Sequence, residues 1–419
     1  MFADRTSLEL HQSHRLRELL AAILPGNKFY HSKFASSHMA ARDVQSLADL
    51  ASIPFTTKSE LTADQQRYPP CGSALTFPIS QYARLHQTSG TTTGKPLRWL
   101  DTMESWDWML SVWDQIFAWI GLRSGDRLFF PFSFGPFLGF WTAFEAAARG
   151  GWFVLPGGGM SSAARLNFLV DHRITVVFCT PTYALHLAEV AAQQQVSLAA
   201  SDVRMLVVAG EPGGNIASTR ERIESAWGAR VIDHSGLTEV GPVAVECWDG
   251  PGSLQLLEGD YIAEVVNPKT GTATDTIGEL VLTNLGRIGS PILRYRTGDL
   301  VQWDATSDCV YRRLKGGILG RVDDMIQLRG NNVYPSAIEA VVRRFAEVAE
   351  FRLVVTQEGA LSGLRIEVEP MPEADGAILI DRVGSAIRND LLFRADVVSV
   401  PPGSLPRFEL KAQRLVREA

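Results

Sequence analysis

Between residues 104 and 234 the chain alternates short apolar runs with longer amphipathic ones. The runs 127–132 (RLFFPF), 152–156 (WFVLP), 174–179 (ITVVFC), 204–210 (RMLVVAG) and 229–233 (ARVID) are compact and end at Gly, Pro or an acid, which predicts strands. Between them GFWTAFEAAARG, SSAARLNFLVDH, TYALHLAEVAAQQQ and NIASTRERIESAWG predict helices closed by Gly or a polar cluster. In 104–120 the side chains Trp106, Leu110, Trp113, Phe117 and Ile120 fall on one helical face and predict core packing. Strand–helix repetition implies an α/β fold with a parallel sheet covered by helices. Ligands in such folds gather at the carboxyl ends of strands, which directs attention to the loops GEPGG (210–214) and HSGLTE (234–239).

The texture changes after residue 250. Segments YIAEVV, GELVLTNL, VQWD and CVYRRL predict a small β-rich subdomain over about 250–315, with turns at Asn-Pro-Lys-Thr-Gly and Gly-Asp. The glycine-rich joint KGGILG (315–320) follows. Beyond it a helix near 335–349, strands near 351–356 and 363–369, and a helix near 376–393 form a self-contained α+β pattern. We therefore expect a large N-terminal domain over 1–319 and a small, mobile C-terminal α+β domain over 320–419.

With 419 residues and a formal charge of −6, the chain carries no overall basic field to draw it onto nucleic acid or an anionic membrane. The four cysteines, Cys71, Cys179, Cys247 and Cys309, lie far apart. That spacing argues against a zinc module or a disulfide framework and fits a reducing compartment. The charged N-terminal stretch predicts an amphipathic helix, not a signal peptide. The longest apolar run, 128–141, is too short to span a bilayer and is broken by Pro and Gly. A soluble, cytoplasmic protein is expected.

The stretch HQTSGTTTGKPLRW (86–99) looks like a phosphate grip, yet it is no Walker A loop. Only three threonines separate Gly90 from Gly94, and Pro96 after Lys95 has neither an N–H nor a hydroxyl. It is the first of a set in chain order: TSGTTTGKP (88–96), AGEPGG (209–214), DHSGLTE (233–239), YRTGDL (295–300), GRVDDMIQLRGNNVYPSAIE (320–339) and PGSLPRFELKAQRL (402–415). Their order and spacing resemble the adenylate-forming acyl-CoA synthetase superfamily, and RGNNVYPSAIE with GSLPR…KAQRL point to its phenylacetate–CoA ligase branch.

The resemblance implies an ATP-dependent, magnesium-requiring acid–thiol ligase. A carboxylate is a poor acyl donor, so it first attacks the α-phosphate of ATP, and a thiol, usually that of coenzyme A, then displaces AMP. Negative charge on the phosphoryl oxygens must be met by N–H donors, cations and Mg²⁺. On this likeness Thr88, Ser89, Gly90, Thr91, Thr92, Thr93 and Gly94 wrap the β and γ phosphates, with Lys95 as a point charge. Gly210, Glu211 and Pro212 line the adenine, and Asp233, His234, Ser235, Gly236 and Thr238 complete the nucleotide site. Glu239 takes the magnesium, and Asp299 accepts both ribose hydroxyls on its two oxygens. Arg321 contacts the nucleotide, Asp323 is the hinge, and Lys411 reaches in to bridge carboxylate and α-phosphate. Phe134, Phe137 and Phe140 are candidates for an apolar slot that takes an aryl or arylacetic acid.

Each segment alone has an ordinary structural reading: a polar turn, a strand-ending loop, a core aromatic row, a solvated tail. Three positions also depart from the family pattern. The threonine loop is one residue longer, Ser235 stands where an adenine-stacking aromatic is usual, and Leu410 replaces a glycine before the tail lysine. Two alternatives therefore stay open: transfer of the acyl group to a carrier-protein thiol or an amine, and a nucleotide-binding homologue without catalysis. The resemblance also allows a homodimer.

Overall fold

Side-chain caps fix where most of the helices begin. Asp4, Thr57, Thr102, Ser161, Thr180 and Asp375 each accept a backbone N–H from the first turn of the helix that follows, which satisfies donors with no partner inside the helix. The computed structural model describes residues 2–88, 96–306, 309–328, 331–358, 361–408 and 412–418. They form two compact units, one of residues 1–159 with 232–317 and the other of residues 160–231 with 318–419.

In the first unit the strands Arg127–Phe130 and Phe153–Pro156 pair in parallel. The helices Met103–Trp119 and Trp141–Arg149 pack together, the first with Trp106, Trp113 and Phe117 buried as its face predicts. An antiparallel hairpin joins Tyr82–Gln87 to Arg98–Thr102. Two antiparallel sheets supply the rest: Tyr261–Val266, Gly278–Asn284 and Tyr295–Val301 in one, and the run Arg230–Leu237, Gly241–Cys247, Gly250–Leu256 and Arg313–Lys315 in the other. Leu16, Leu19, Leu20 and Ile23 of the N-terminal helix bury one face with Ile262, Leu285 and Leu293. No helix among the described residues is long and apolar enough to cross a membrane.

The second unit pairs the strands Val176–Cys179 and Met205–Val208 in parallel, with the helices Ser162–Asp171, Pro181–Gln193 and Ala217–Trp227. Its C-terminal part is a four-stranded sheet. A central antiparallel pair, Val348–Glu358 with Leu361–Pro370, is flanked by Leu415–Arg417 and Asp396–Ser399, each joined in parallel. The helices Pro335–Val342 and Gly376–Leu391 supply Ile338, Val341, Val342, Leu379, Val383 and Ile387 to its core.

Two expectations change. The helix foreseen to residue 349 ends at Val342, because Arg343 is buried and bonds forward to Glu350 at 2.8 Å and to the Ala349 carbonyl at 3.2 Å, so the strand begins at Val348. HSGLTE is not a loop after a strand. The strand runs on to Leu237 and turns back antiparallel into Gly241–Cys247, with a bulge between Ser235 and Gly236. Gly236 permits it, since a Cβ there would sit 2.8 Å from the Gly241 carbonyl oxygen.

The first unit is tied by a buried ion pair. Arg287 donates from Nε and Nη2 to the two oxygens of Asp101, both at 2.6 Å, and from Nη1 to the Thr238 carbonyl at 2.7 Å. Both side chains are fully buried. The pair thus fastens the strand Arg98–Thr102 to the turn that carries residues 238 and 239. Removing one charge strands the other without water, so Asp101→Asn is expected to lower unfolding free energy by about 3–5 kcal/mol, read by denaturant titration.

Candidate active site

Glu239 sits at a turn next to the bulged strand, 4 % exposed, with its carboxylate engaged on two sides. The Tyr295 hydroxyl donates to Oε1 at 3.2 Å, and Lys58 Nζ lies 3.4 Å from the same oxygen. Backbone pairing places both partners. Thr56 bridges in parallel to Tyr295, donating its N–H to the Arg294 carbonyl and accepting from the Arg296 N–H, each at 2.9 Å. The helix Lys58–Arg67 starts two residues later, capped by Thr57 and Glu60, which sets Lys58 in its first turn. Lys58 was not foreseen from the sequence; its signal is the capping box TTKSE, which reads as a helix start and nothing more.

Among the described residues no three or more His, Cys, Asp or Glu side chains stand together as a metal site. A single buried carboxylate suits a different arrangement. Mg²⁺ bound in phosphate sites takes one or two carboxylates and completes its shell with phosphate oxygens and water. Glu239 fits that role.

The threonine loop is closed at its base. The Thr88 N–H donates to the Leu97 carbonyl at 3.0 Å, and the Thr88 hydroxyl accepts the Leu97 N–H at 3.0 Å. Ser89, Gly90, Thr91, Thr92, Thr93, Gly94 and Lys95 lie outside the described residues. At the same end of the hairpin the Gln87 N–H donates to the Pro136 carbonyl at 2.6 Å. That bond anchors the aromatic segment beside the loop base. There Phe134, Phe137 and Phe140 surround Phe132 edge-on, at 5.2, 5.2 and 5.8 Å between ring centres. Phe140 is buried, whereas Phe134 and Phe137 are half-buried and present ring surface. Asp299 is buried in the strand Tyr295–Val301, its N–H bonded to the Thr297 hydroxyl at 3.0 Å.

His234 is committed to the core. Its Nδ1 is 2.9 Å from the Ala244 carbonyl, and its ring packs at 4.7 Å on Trp113. Asp233 beside it donates its N–H to Glu246 at 3.0 Å. Ser235 and Thr238 are half-buried and Gly236 is exposed.

In the second unit the loop after Met205–Val208 holds Gly210 at φ +95° and Gly213 at φ +146°, where a Cβ would meet Pro181 at 2.5 Å. Gly210 and Pro212 are exposed, while Glu211 turns inward, accepting the Thr182 N–H at 2.8 Å and the Ala412 N–H at 2.5 Å. Arg321 and Asp323 pair with each other at 3.0 Å. Leu410 and Lys411 lie outside the described residues. The predicted set is therefore divided: Thr88, Asp233 to Glu239, Asp299 and the phenylalanines belong to one unit, and Gly210 to Pro212, Arg321 and Asp323 to the other.

Burial pushes His234 down to about 4 from 6.5, the Ala244 hydrogen bond opposing it. Burial lowers His86 to about 4 as well. A histidine whose folded pKa is depressed leaves stability complete above pH 6.5 and erodes it as pH falls towards 4, because the unfolded chain takes the proton first. His234→Gln is expected to flatten the acid side of the stability profile by up to one proton, about 1.4 kcal/mol per pH unit, as read from denaturant midpoints across pH 7 to 4.

The AMP-binding enzyme family matches residues 35–286, and the AMP-binding enzyme C-terminal domain matches residues 330–418. A phenylacetate-coenzyme A ligase of Thermus thermophilus is 31% identical over 97% of this chain and 95% of its own length. Another, of Pseudomonas putida, is 30% identical over 98% and 94%. Among solved structures, a 2-hydroxyisobutyryl-CoA ligase in the postadenylation state with 2-HIB-AMP superimposes with a TM-score of 0.92 at 27% identity, covering 98% of this chain and 89% of that one. The chain belongs to the AMP-binding enzyme family, alongside the phenylacetate-coenzyme A ligases.

Proposed function

We propose that this protein is an ATP-dependent carboxylate–CoA ligase acting on an aryl or arylacetic acid. The likeness to curated phenylacetate-coenzyme A ligases along nearly the whole chain carries the reading. In the first half-reaction a carboxylate oxygen of the acid attacks the α-phosphorus of ATP, and the bond to the departing pyrophosphate breaks. In the second, the sulfur of coenzyme A attacks the acyl carbon and AMP leaves with the electron pair of the broken C–O bond.

Glu239 would hold Mg²⁺, which would supply charge neutralisation on the phosphate oxygens. Tyr295 orients the Glu239 carboxylate, and Lys58 sets an ammonium group beside it. Lys95 and the threonine hydroxyls take the outer phosphates, Gly210 and Pro212 on either side of Glu211 the adenine, and Asp299 the ribose. Arg321 contacts the nucleotide. Phe134 and Phe137, with Phe140 behind them, offer an apolar wall to an aromatic acid. Residues 320–419 act as a mobile domain that turns about Asp323, carrying Lys411 in for adenylation and out for thioester formation. The separate family matches on either side of residue 323 support that division. ATP and coenzyme A are cytoplasmic substrates, and the reading places the enzyme there.

Pyrophosphate exchange into ATP with a panel of aryl and arylacetic acids, and 2-hydroxyisobutyrate for contrast, tests the adenylation step and the acid class. Adding coenzyme A, a carrier-protein thiol or an amine then identifies the acceptor. Exchange with an aromatic acid and coenzyme A-dependent turnover are expected; silence across the panel with ATP still bound would favour a non-catalytic homologue. Lys411→Ala is expected to cut exchange by about 10²–10³-fold while supplied acyl-AMP still forms thioester. Equal loss of both half-reactions would remove Lys411 from the adenylation step.

A further inference from the structure

The described chain resumes after residue 411 in a dense polar contact inside the second unit. The Ala412 N–H donates to Glu211 Oε2 at 2.5 Å. The other oxygen of the same carboxylate accepts the Thr182 N–H at 2.8 Å, in the first turn of the helix Pro181–Gln193. A carboxylate suits that place twice over, since the helix start presents unpaired N–H groups and a positive dipole end. Two residues along, Arg414 donates to the Thr182 hydroxyl at 3.0 Å and, within its own part of the unit, to both oxygens of Glu350 at 2.9 and 3.1 Å. The Arg414 side chain is 9 % exposed.

These contacts differ in kind from the others that join residues 318–419 to residues 160–231. Arg407–Glu189 is a part-exposed ion pair at 3.4 Å. Ser218, Asn215 and Arg222 donate to the carbonyls of Ala340, Ile318 and Val348. Among the described residues of 160–231, Glu211 and Thr182 are the ones that grip the backbone and side chain of 412–414. Glu211 thus has both acceptors occupied by N–H donors.

We propose that Glu211 is a positioning residue: it latches the segment that begins at Ala412 to the helix Pro181–Gln193, with Arg414 on Thr182 as the second point, and this latch is closed for adenylation and open for thioester formation. The proposal rests on the two-step reading above and adds how the tail is held during the first step. It gives Glu211 a backbone-clamping role in place of adenine lining. Gln at this position keeps one acceptor but turns an NH₂ towards an N–H, and Asp, one methylene shorter, cannot span both donors.

The test compares wild type, Glu211→Gln and Glu211→Asp in the two half-reactions, with thermal melting to report folding. Both variants are expected to lose about tenfold or more of the pyrophosphate-exchange kcat, the scale of a charge-assisted hydrogen bond. KM for ATP should stay put, and thioester formation from supplied acyl-AMP should stay within about twofold. Arg414→Lys should lose exchange in the same direction, because lysine cannot span Thr182 and Glu350 as a fork does. A raised KM for ATP with unchanged kcat would overturn the latch in favour of adenine lining. Equal loss in both half-reactions, or no loss in either, would overturn it as well. A wild type without exchange on any acid sinks the underlying ligase reading, and the latch with it.

Discussion

A guanidinium withdrawn from water must find carboxylates, and that constraint organises both units. Desolvation of an ion costs several kcal/mol, recovered only through close, well-aligned partners. Arg287 meets it with both oxygens of Asp101 and the Thr238 carbonyl, so a strand near residue 100 and a turn near 238 are held at one place. Arg343 and Arg414 meet it together on Glu350. Burial alone would raise that carboxyl, but the two arginines hold it at about 2. Glu339, beside the same pair at 3.7 and 3.9 Å, is raised by its burial despite them.

The candidate site follows the same constraint. Glu239 is a buried carboxylate oriented by Tyr295 and balanced by Lys58. On the proposed function, an incoming cation would meet a group whose geometry is set in advance, which lowers the reorganisation needed as phosphoryl charge builds. The aromatic segment 132–141 is likewise assembled by its own edge-on rings and tied to the hairpin by a backbone bond from Gln87.

Strand and helix positions in 104–234 were legible because apolar runs of the right length alternate with amphipathic ones, and the observed strands fall inside the predicted runs except at 230–237. That strand was misjudged because its polar second half, HSGL, reads as a loop; pairing with Gly241–Cys247 and the close approach at Gly236 override the local signal. Helix 335–342 was overextended because a buried arginine is invisible to periodicity. Glu239 is singled out by its motif, whereas Lys58 is not, since its place depends on a bridge between Thr56 and Tyr295, far apart in sequence. His234 is the ring beside Ser235, where the family pattern has an adenine-stacking aromatic, yet it lies on Trp113, a contact no local pattern announces. Glu211 was read by position in a motif, and what its oxygens touch became visible only in three dimensions.

The last strand, Leu415–Arg417, lies in register with Leu353, Val354 and Val355, and the Leu353 N–H also takes the Arg414 carbonyl at 2.7 Å. Residues 415–417 are thereby moored to that sheet as its edge strand. A fully stretched backbone spans at most about 3.6 Å per residue, so this mooring sets a short radius for whatever precedes it in the chain. On the proposed function, a side chain delivered from just before it gains further reach when the sheet travels as its carriage.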